Sequence, residues 1–567
     1  MLYVDFSFSI PENGFKKVQG NAIYYYLYTK HYRNEKGQPR HKSLQIGKIT
    51  TNENGESVLI PNDNYFEHFG IEKPKGANVR KAGRPHKTVN CNNEEPKYHN
   101  IEDGSVLGFG YGIAYLDIAN KSGLKSILEN VFGTELSLQI LAIAAYYTLN
   151  RGGGLTGIEY FTSSQMMFTN SILSHNKALE IFRQITDADK KNFLQQWIKQ
   201  TAIGKTVCYD VTSISSYSCW LDDVSYGYNR DKEDLPQVNL GMFTDLKTQV
   251  PIAYVEYNGS INDFSNIPAV LTYARMLSLE ENGLSIVADG GFENSVTINY
   301  LLEHKIDFIL GTSYKKNKQV KEKLISWRKQ SSTQAESFVN DFDDSMEASS
   351  DSYITSSNTQ LQLNMYYNSA KAALELTTLK RKIKDLKQVL DNKKTLTIKE
   401  LSKFKTYFNI IHNEDDTFTY TLNQDAINES RLLCGCFALL TTHNITEISL
   451  SKCLELYKDK DTVEKAFDEL KNEIEGERLY VHTNEAYRGK MFVLFISLIV
   501  YRYFKNNTRN WIKQNKSSMK AVFDMLAGIR CYKNNDKWYM RQAFVKGQKE
   551  LIKILDLPVD YLVNSLK

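Results

Sequence analysis

Three carboxylates in this 567-residue chain stand where their type and spacing could do chemistry. Asp210 closes the strand-like "VCYD", Asp289 closes "IVAD" just before "GGF", and Glu464 lies within "YKDKDTVEKAFDELK". Burying an unpaired carboxylate at the end of an apolar strand costs on the order of several kcal/mol, so something must hold each charge. For Asp210, followed by the hydroxyl-rich "VTSISSYS", a salt bridge, a turn cap or a metal ion would each serve. Two facing carboxylates repel unless a cation stands between them. Neither aspartate has histidine or cysteine beside it, and oxygen-only ligation points to Mg²⁺ or Mn²⁺ rather than zinc.

A third oxygen ligand is available from the late helical segment. There Val463, Ala466, Phe467, Leu470 and Ile474 recur at the spacing of one buried stripe. Beside them Tyr457, Lys460, Glu464 and Lys471 follow at intervals of three, four and seven residues, which places them on one shared face. A glutamate flanked by two lysines and a tyrosine could bind a metal while its neighbours hold phosphate oxygens. Lys460 and Glu464 would equally make an ordinary helix ion pair.

The elements that must position these residues are legible from periodicity. Thr206–Ser213, Leu235–Phe243 and Val250–Tyr257 read as three strands with short connections, an antiparallel meander. A helix of about Asp263 to Leu279 follows, then the strand "LSIVAD", a helix from Glu293 to His304 and the strand "IDFILG". Three strands followed by alternating helix and strand make an α/β fold with a mixed sheet and parallel crossovers. The first and fourth strands carry Asp210 and Asp289 and can lie side by side, and the C-terminal ends of neighbouring strands are where open sheets build sites. A helix of about Asp459 to Glu475 carries Glu464.

Around this core, Ile23 to Ile49 alternates about the turn signal "NEKGQP" and reads as a hairpin heading a β-rich module. The stretch from Ile71 to Lys87 holds six basic residues and one acidic and reads as a linker suited to phosphate. Its "GRP", with Arg84 and nearby Lys87, resembles a minor-groove AT-hook, although a solvated basic linker is the simpler account. Helical periodicity fills roughly 105–200. From Tyr314 to about Leu450 the order is interrupted by a basic start, the Ser- and Asp-rich stretch Ser331–Ser352, expected to be mobile, and a basic helix through Lys380 to Lys394. The expected division is a β-rich module at 1–70, a basic linker at 71–104, a helical, DNA-end-binding region at 105–203, a first core segment at 204–313, a mainly helical or mixed insertion at 314–450, a second core segment at 451–505 and a C-terminal region at 506–567.

The formal charge of +4, from 70 basic and 66 acidic residues, is too small to imply a nucleic-acid partner by itself; clustering matters more. Seven cysteines are scattered, and "CGC" at Cys434 and Cys436 lacks zinc-site spacing, so reduced thiols are expected. The N-terminus has no secretory pattern. The apolar runs "MFVLFISLIVY" and "LAIAAYYTL" fall short of the ~20 residues of a membrane span, so buried helices, no membrane partner and a cytoplasmic, nucleoid-associated location are expected.

The four ordered blocks "CYDVTSISSYS", "GYNRDKEDLPQVNLGMF", "VADGGFENSVTINYLLEHKIDFILG" and "LYKDKDTVEKAFDELK" resemble the RNase H-like catalytic core of DDE transposases. The interruption before the last carboxylate is similar to that of insertion-sequence transposases of the IS-four type. The resemblance spans about Gly204 to Tyr503. It implies that Asp210, Asp289 and Glu464 are the catalytic, metal-holding residues. It also implies two Mg²⁺ ions, replaceable by Mn²⁺ and about 3.5–4 Å apart, that activate a water or 3′-hydroxyl and stabilise the leaving oxygen. The family's Tyr-Arg-Glu-Lys signature maps onto Tyr457, Lys460, Glu464 and Lys471; lysine at 460 keeps the charge of the usual arginine and loses its bidentate fork. Implied partners are double-stranded DNA, as terminal inverted repeats and target, and a second copy of the chain in the synaptic complex. Contacts to that DNA are expected from Tyr457, Lys460, Lys471, Arg84 and Lys87.

Rival readings fare less well. "GKT" at Gly204 lacks the P-loop's earlier glycine, since Lys199 occupies that place, and a strand rather than a helix follows. A carboxylate-pair glycosidase leaves the flanking lysines unexplained. A domesticated nuclease or a catalytically silent DNA-binding protein with this fold is the remaining alternative. Trp327 reads as core packing before it reads as a support for a flipped base.

Overall fold

The computed structural model describes the chain apart from residues 1, 4–6, 20–21, 34–38, 52–56, 74–78, 81–102, 151–153, 168, 170–171, 202–205, 219, 262–284, 332–344, 394, 396, 398–401, 414–416, 475, 536, 542 and 558–567. Arg84, Lys87 and the helix expected over Asp263 to Leu279 lie outside the described residues. The chain divides into two units, Met1–Glu94 and Glu95–Lys567.

In the first unit, strands Gly14–Gln19, Ala22–Arg33, Pro39–Thr51 and Ser57–Pro61 form an antiparallel sheet in sequence order. Ile23 pairs with Ile49, so the alternation of that stretch does make a hairpin. Tyr25, Leu27, Ile46 and Leu59 face inward onto Tyr65 and Phe66 of the helix Asp63–Phe69. Asn62 caps that helix, its side chain accepting from the amide of Tyr65 at 3.2 Å.

The second unit is built on an eight-stranded mixed sheet. Its strands are β1 (Thr206–Ser215), β2 (Gln237–Asp245), β3 (Pro251–Asn258), β4 (Ser285–Ala288), β5 (Asp307–Thr312), β6 (Met346–Ile354), β7 (Gln360–Asn368) and β8 (Cys436–Thr441), in the order β3-β2-β1-β4-β5-β8-β7-β6. Strands β1 to β3 are an antiparallel meander, and β4 runs parallel to both β1 and β5. The first and fourth strands are therefore neighbours.

The sheet continues past Tyr314, beyond the end expected for its first segment. Antiparallel β8 covers the free edge of β5 with Ala438, Leu439, Leu440 and Thr441, all buried, and β7 and β6 follow. Residues 346–352 of the stretch expected to be mobile are thus strand; 332–344 lie outside the described residues. An open strand edge presents unpaired backbone donors and acceptors, and covering it with apolar strands removes that liability. What remains separate in this region is the helix Ser369–Asp391 with a small hairpin, around Leu390, Phe404, Tyr407 and Phe408.

Both long apolar runs are buried helices. α1 (Thr134–Leu149) carries one of them and α4 (Asn484–Gln514) the other, with every residue from Met491 to Tyr501 buried. No helix among the described residues is long and apolar enough to cross a membrane. Cys208, Cys434, Cys436, Cys453 and Cys531 are buried and unbridged. Trp327 packs against the core with the Arg328 guanidinium 5.6 Å from its ring.

Candidate active site

Asp210 is the fifth residue of β1, its neighbours Tyr209 and Val211 buried. In the parallel ladder Ala288 pairs with Tyr209. Asp289 is the next residue, so Asp210 and Asp289 stand level on adjacent strands. The chain then turns sharply: Asp289 caps the single 3₁₀ turn Gly290–Phe292, its carbonyl accepting from the amide of Phe292 at 2.9 Å.

Glu464 arrives from the far end of the sequence on α3 (Asp461–Asp468), which follows α2 (Leu450–Asp459) with Lys460 at the junction. The continuous helix expected over Asp459 to Glu475 is instead two α-helices ending in a π turn, Glu469–Glu473. A buried ion pair fixes that ending. Arg502 of α4 places Nε 2.5 Å from Glu469 Oε2, and Lys505 Nζ lies 2.5 Å from Oε1. Arg502 Nη2 also donates to the carbonyl of Thr462 at 2.9 Å, holding α3 two residues before Glu464. Burial pushes the Glu469 carboxyl up, against the pull of Arg502 and Lys505.

Lys460 joins the carboxylates. Its Nζ lies 3.0 Å from Glu464 Oε1 and 3.6 Å from Asp289 Oδ1. Burial disfavours the ammonium, yet Asp289, Glu464 and Asp210 together raise its pKa above the usual lysine value. Tyr457, expected to reach phosphate, donates its hydroxyl to Asp289 Oδ1 at 2.9 Å. Gly311 on β5 makes room for this, because a Cβ there would collide with the Tyr457 phenol oxygen. Asp289 is pushed up by burial but ends below the usual carboxylate range, because Lys460 and the Tyr457 hydroxyl favour its charged form.

Asp210 has the opposite balance. Burial raises its pKa, and Arg230, whose Nη1 is 3.7 Å from Oδ1, offsets this only in part together with Lys460. Arg230 belongs to the loop joining β1 to β2, which two further ion pairs clamp. Lys471 in the π turn lies 2.6 Å from Asp231, and Arg478 pairs with Glu233, which accepts from Ser215 Oγ at 2.5 Å. Lys471, expected to face DNA beside Glu464, is thus engaged by the loop. Arg230, Arg502 and Gly311 escaped the sequence reading; the basic "NRDK" is the one local signal for the first, and nothing local marks the other two.

Among the described residues no three His, Cys, Asp or Glu side chains are grouped as ready ligands of one ion. The donor set nonetheless suits a hard divalent cation. All its members are carboxylate oxygens, and Lys460 is a cation already drawn to the same three residues.

Residues 203–500 match the transposase DDE domain, more than half of the chain. The chain belongs to the DDE transposase family. This transposase is also similar to a solved structure described as a cryo-EM structure of the piggyBac transposase synaptic complex with hairpin DNA, at 13% identity and a TM-score of 0.31. That similarity covers 73% of this chain and 70% of the other, and is too distant to add weight to the family match. No curated protein matches the transposase. Asp210, Asp289 and Glu464 all fall inside the matched segment.

Proposed function

We propose that this transposase serves an insertion sequence, binding the terminal inverted repeats of its element and cutting and rejoining DNA there by a cut-and-paste route. The observation that carries the reading is the level placement of Asp210 and Asp289 on adjacent parallel strands, with Glu464 tied to Asp289 through Lys460.

In this reading Asp210, Asp289 and Glu464 hold two Mg²⁺ ions, for which Mn²⁺ can substitute. When bound, such ions supply activation of a water or 3′-hydroxyl and charge stabilisation at the leaving oxygen. The chain's own residues do the rest. Lys460 and Tyr457 favour the charged form of Asp289, and Tyr457 orients it, while Arg230 offsets part of the burial penalty on Asp210. Arg502 holds the backbone that presents Glu464. Lys460 balances the carboxylates in the free protein and turns to a DNA phosphate when substrate arrives. The basic helix Ser369–Asp391 and the linker carrying Arg84 and Lys87 supply further backbone contacts, which makes affinity fall steeply with salt. Two copies of the chain pair the two ends, and the protein works at the nucleoid in the cytoplasm.

The test is Mg²⁺-dependent cutting of a plasmid carrying the gene with its native flanks, comparing wild type with Glu464→Gln. Cuts at defined flanking positions that vanish in the variant are expected. Binding to the flanks without cutting by either protein, in Mg²⁺ or Mn²⁺, refutes the catalytic reading and leaves a DNA-binding protein.

A further inference from the structure

Two cations stand at the carboxylates, and they differ in what they can grip. Lys460 ends in an ammonium, a compact point charge, and lies between Asp289 and Glu464. Arg230 ends in a planar guanidinium, whose N–H groups match two oxygens of one phosphate at once. It approaches Asp210 from the loop joining β1 to β2. Arg502, the other guanidinium near the Glu464 helix, is buried on Glu469 and on the carbonyl of Thr462.

The Arg230 pair with Asp210 is loose. Nη1 stands 3.7 Å from Oδ1, whereas a charge-assisted N–H···O bond closes to about 2.7–2.9 Å. The two side chains are 30% and 22% exposed, so a ligand arriving at the carboxylates meets the guanidinium.

The backbone that carries Arg230 is, by contrast, fixed on both sides. Arg230 and Asp231 are the central residues of a turn closed by the amide of Lys232, which donates to the carbonyl of Asn229 at 3.1 Å. Asn229 Oδ1 accepts from the amide of Asp231 at 2.8 Å, and Asn229 Nδ2 donates to Ser215 Oγ at 3.0 Å, tying the turn to the end of β1. Lys232 leaves the turn in the left-handed conformation, with φ 59°. Asp231 and Glu233 are then taken by Lys471 and Arg478, whose side chains are only 11% and 12% exposed. The turn is thereby anchored to the segment that follows the Glu464 helix. A fixed turn bearing a loosely paired guanidinium keeps the cation at the site and lets it change partner with little loss of backbone order.

Charge decides the new partner. Once Asp210 is committed to another cation, the negative charge in reach of Arg230 is the phosphate being cut. Charge gathers on the non-bridging oxygens of that phosphate in the transition state, where an arginine stabilises it. We infer that Arg230 is a further catalytic residue, a forked clamp on the non-bridging oxygens that Lys460 cannot supply, and that the Asp231–Lys471 pair positions it. The inference rests on the DNA-cutting reading of the carboxylate site.

The test measures single-turnover cutting of the plasmid with its native flanks at saturating protein, beside Mn²⁺ titration of the DNA-free chain followed by paramagnetic resonance. Arg230→Gln is expected to cut about 100- to 1,000-fold more slowly while binding Mn²⁺ at least as tightly as wild type, because a competing cation has gone. Arg230→Lys, which keeps the charge without the fork, should recover only part of the rate. Lys460→Arg in the Arg230→Gln background moves the fork to the other cation and should restore cutting by about tenfold, as one charged hydrogen bond would. Asp231→Asn should slow cutting in the wild-type background and change nothing further in Arg230→Gln, since it acts through Arg230. Cutting at the wild-type rate by Arg230→Gln overturns the inference. Weaker Mn²⁺ binding by that variant overturns it too, by making Arg230 a support of Asp210 alone. Failure of Lys460→Arg to restore any cutting overturns the forked contact, and additive losses overturn the positioning role of Asp231. In all of these cases wild type still cuts; if wild type does not cut, the reading beneath falls as well.

Discussion

Replacing Lys460 by methionine should turn the carboxylate cluster into a stronger cation site in the DNA-free protein. The ammonium lies 3.0 Å from Glu464 and 3.6 Å from Asp289, whose side chains are 53% and 56% exposed. A unit charge pair at about 4 Å is worth about 4 kcal/mol gross at an effective dielectric near 20. At such exposure, solvent and side-chain entropy reduce this to about 0.2–1 kcal/mol per pair. Two pairs therefore hold Lys460 in place by about 0.4–2 kcal/mol, which an incoming divalent ion must overcome. Removing the ammonium should tighten binding by about 2- to 30-fold, at a factor of ten per 1.4 kcal/mol. The assay is titration with Mn²⁺ followed by paramagnetic resonance, or with Tb³⁺ followed by luminescence, on full chain at low salt and neutral pH. Glu464→Gln should move the same titration the other way. Equal or weaker Mn²⁺ binding by a folded Lys460→Met protein would refute the reasoning, because Lys460 would then not compete for the site.

Asp210→Asn removes a buried carboxylate whose pKa is raised by burial, so at neutral pH it should raise the thermal midpoint by about 1–2 °C while abolishing Mg²⁺-dependent stabilisation. The cost of the ionised form is present above the folded-state pKa and is relieved as pH falls through it. The gap between variant and wild type should accordingly close in acid; a gap that widens in acid contradicts the assignment. Arg502→Ala leaves buried Glu469 with Lys505 as its remaining cation and should destabilise the protein by about 1–3 kcal/mol in denaturant titration, with Arg502→Lys recovering part of the loss. A loss below about 1 kcal/mol would show that Arg502 does not hold the Glu464 helix.

The positions of Asp210 and Asp289 were legible because strand alternation is local. "TVCYD" and "SIVAD" each announce a strand carrying a charge, at the end of the strand for Asp289 but in the middle of Thr206–Ser215 for Asp210, and the count of intervening elements makes the first and fourth strands neighbours. The spacing of Tyr457, Lys460, Glu464 and Lys471 was legible too, but its reading as one helical face was not kept. A straight helix would set Lys471 beside Glu464, whereas the π turn at Glu469 rotates it toward Asp231. The residue that meets the start of that turn is Arg502, which lies more than thirty residues further along and leaves no trace in the local pattern.

Sequence alone therefore determined strands β1 to β5, the adjacency of β1 and β4 and the charges they present, since backbone preference and hydrophobic period act over a few neighbouring positions. Tertiary structure decided the partners: Lys460 between Asp289 and Glu464, Arg230 on Asp210, Tyr457 over Gly311, and β8 closing the edge of β5. Those pairings depend on which distant elements meet in space, and a Coulomb interaction or a hydrogen bond is set by that distance and by the burial around it.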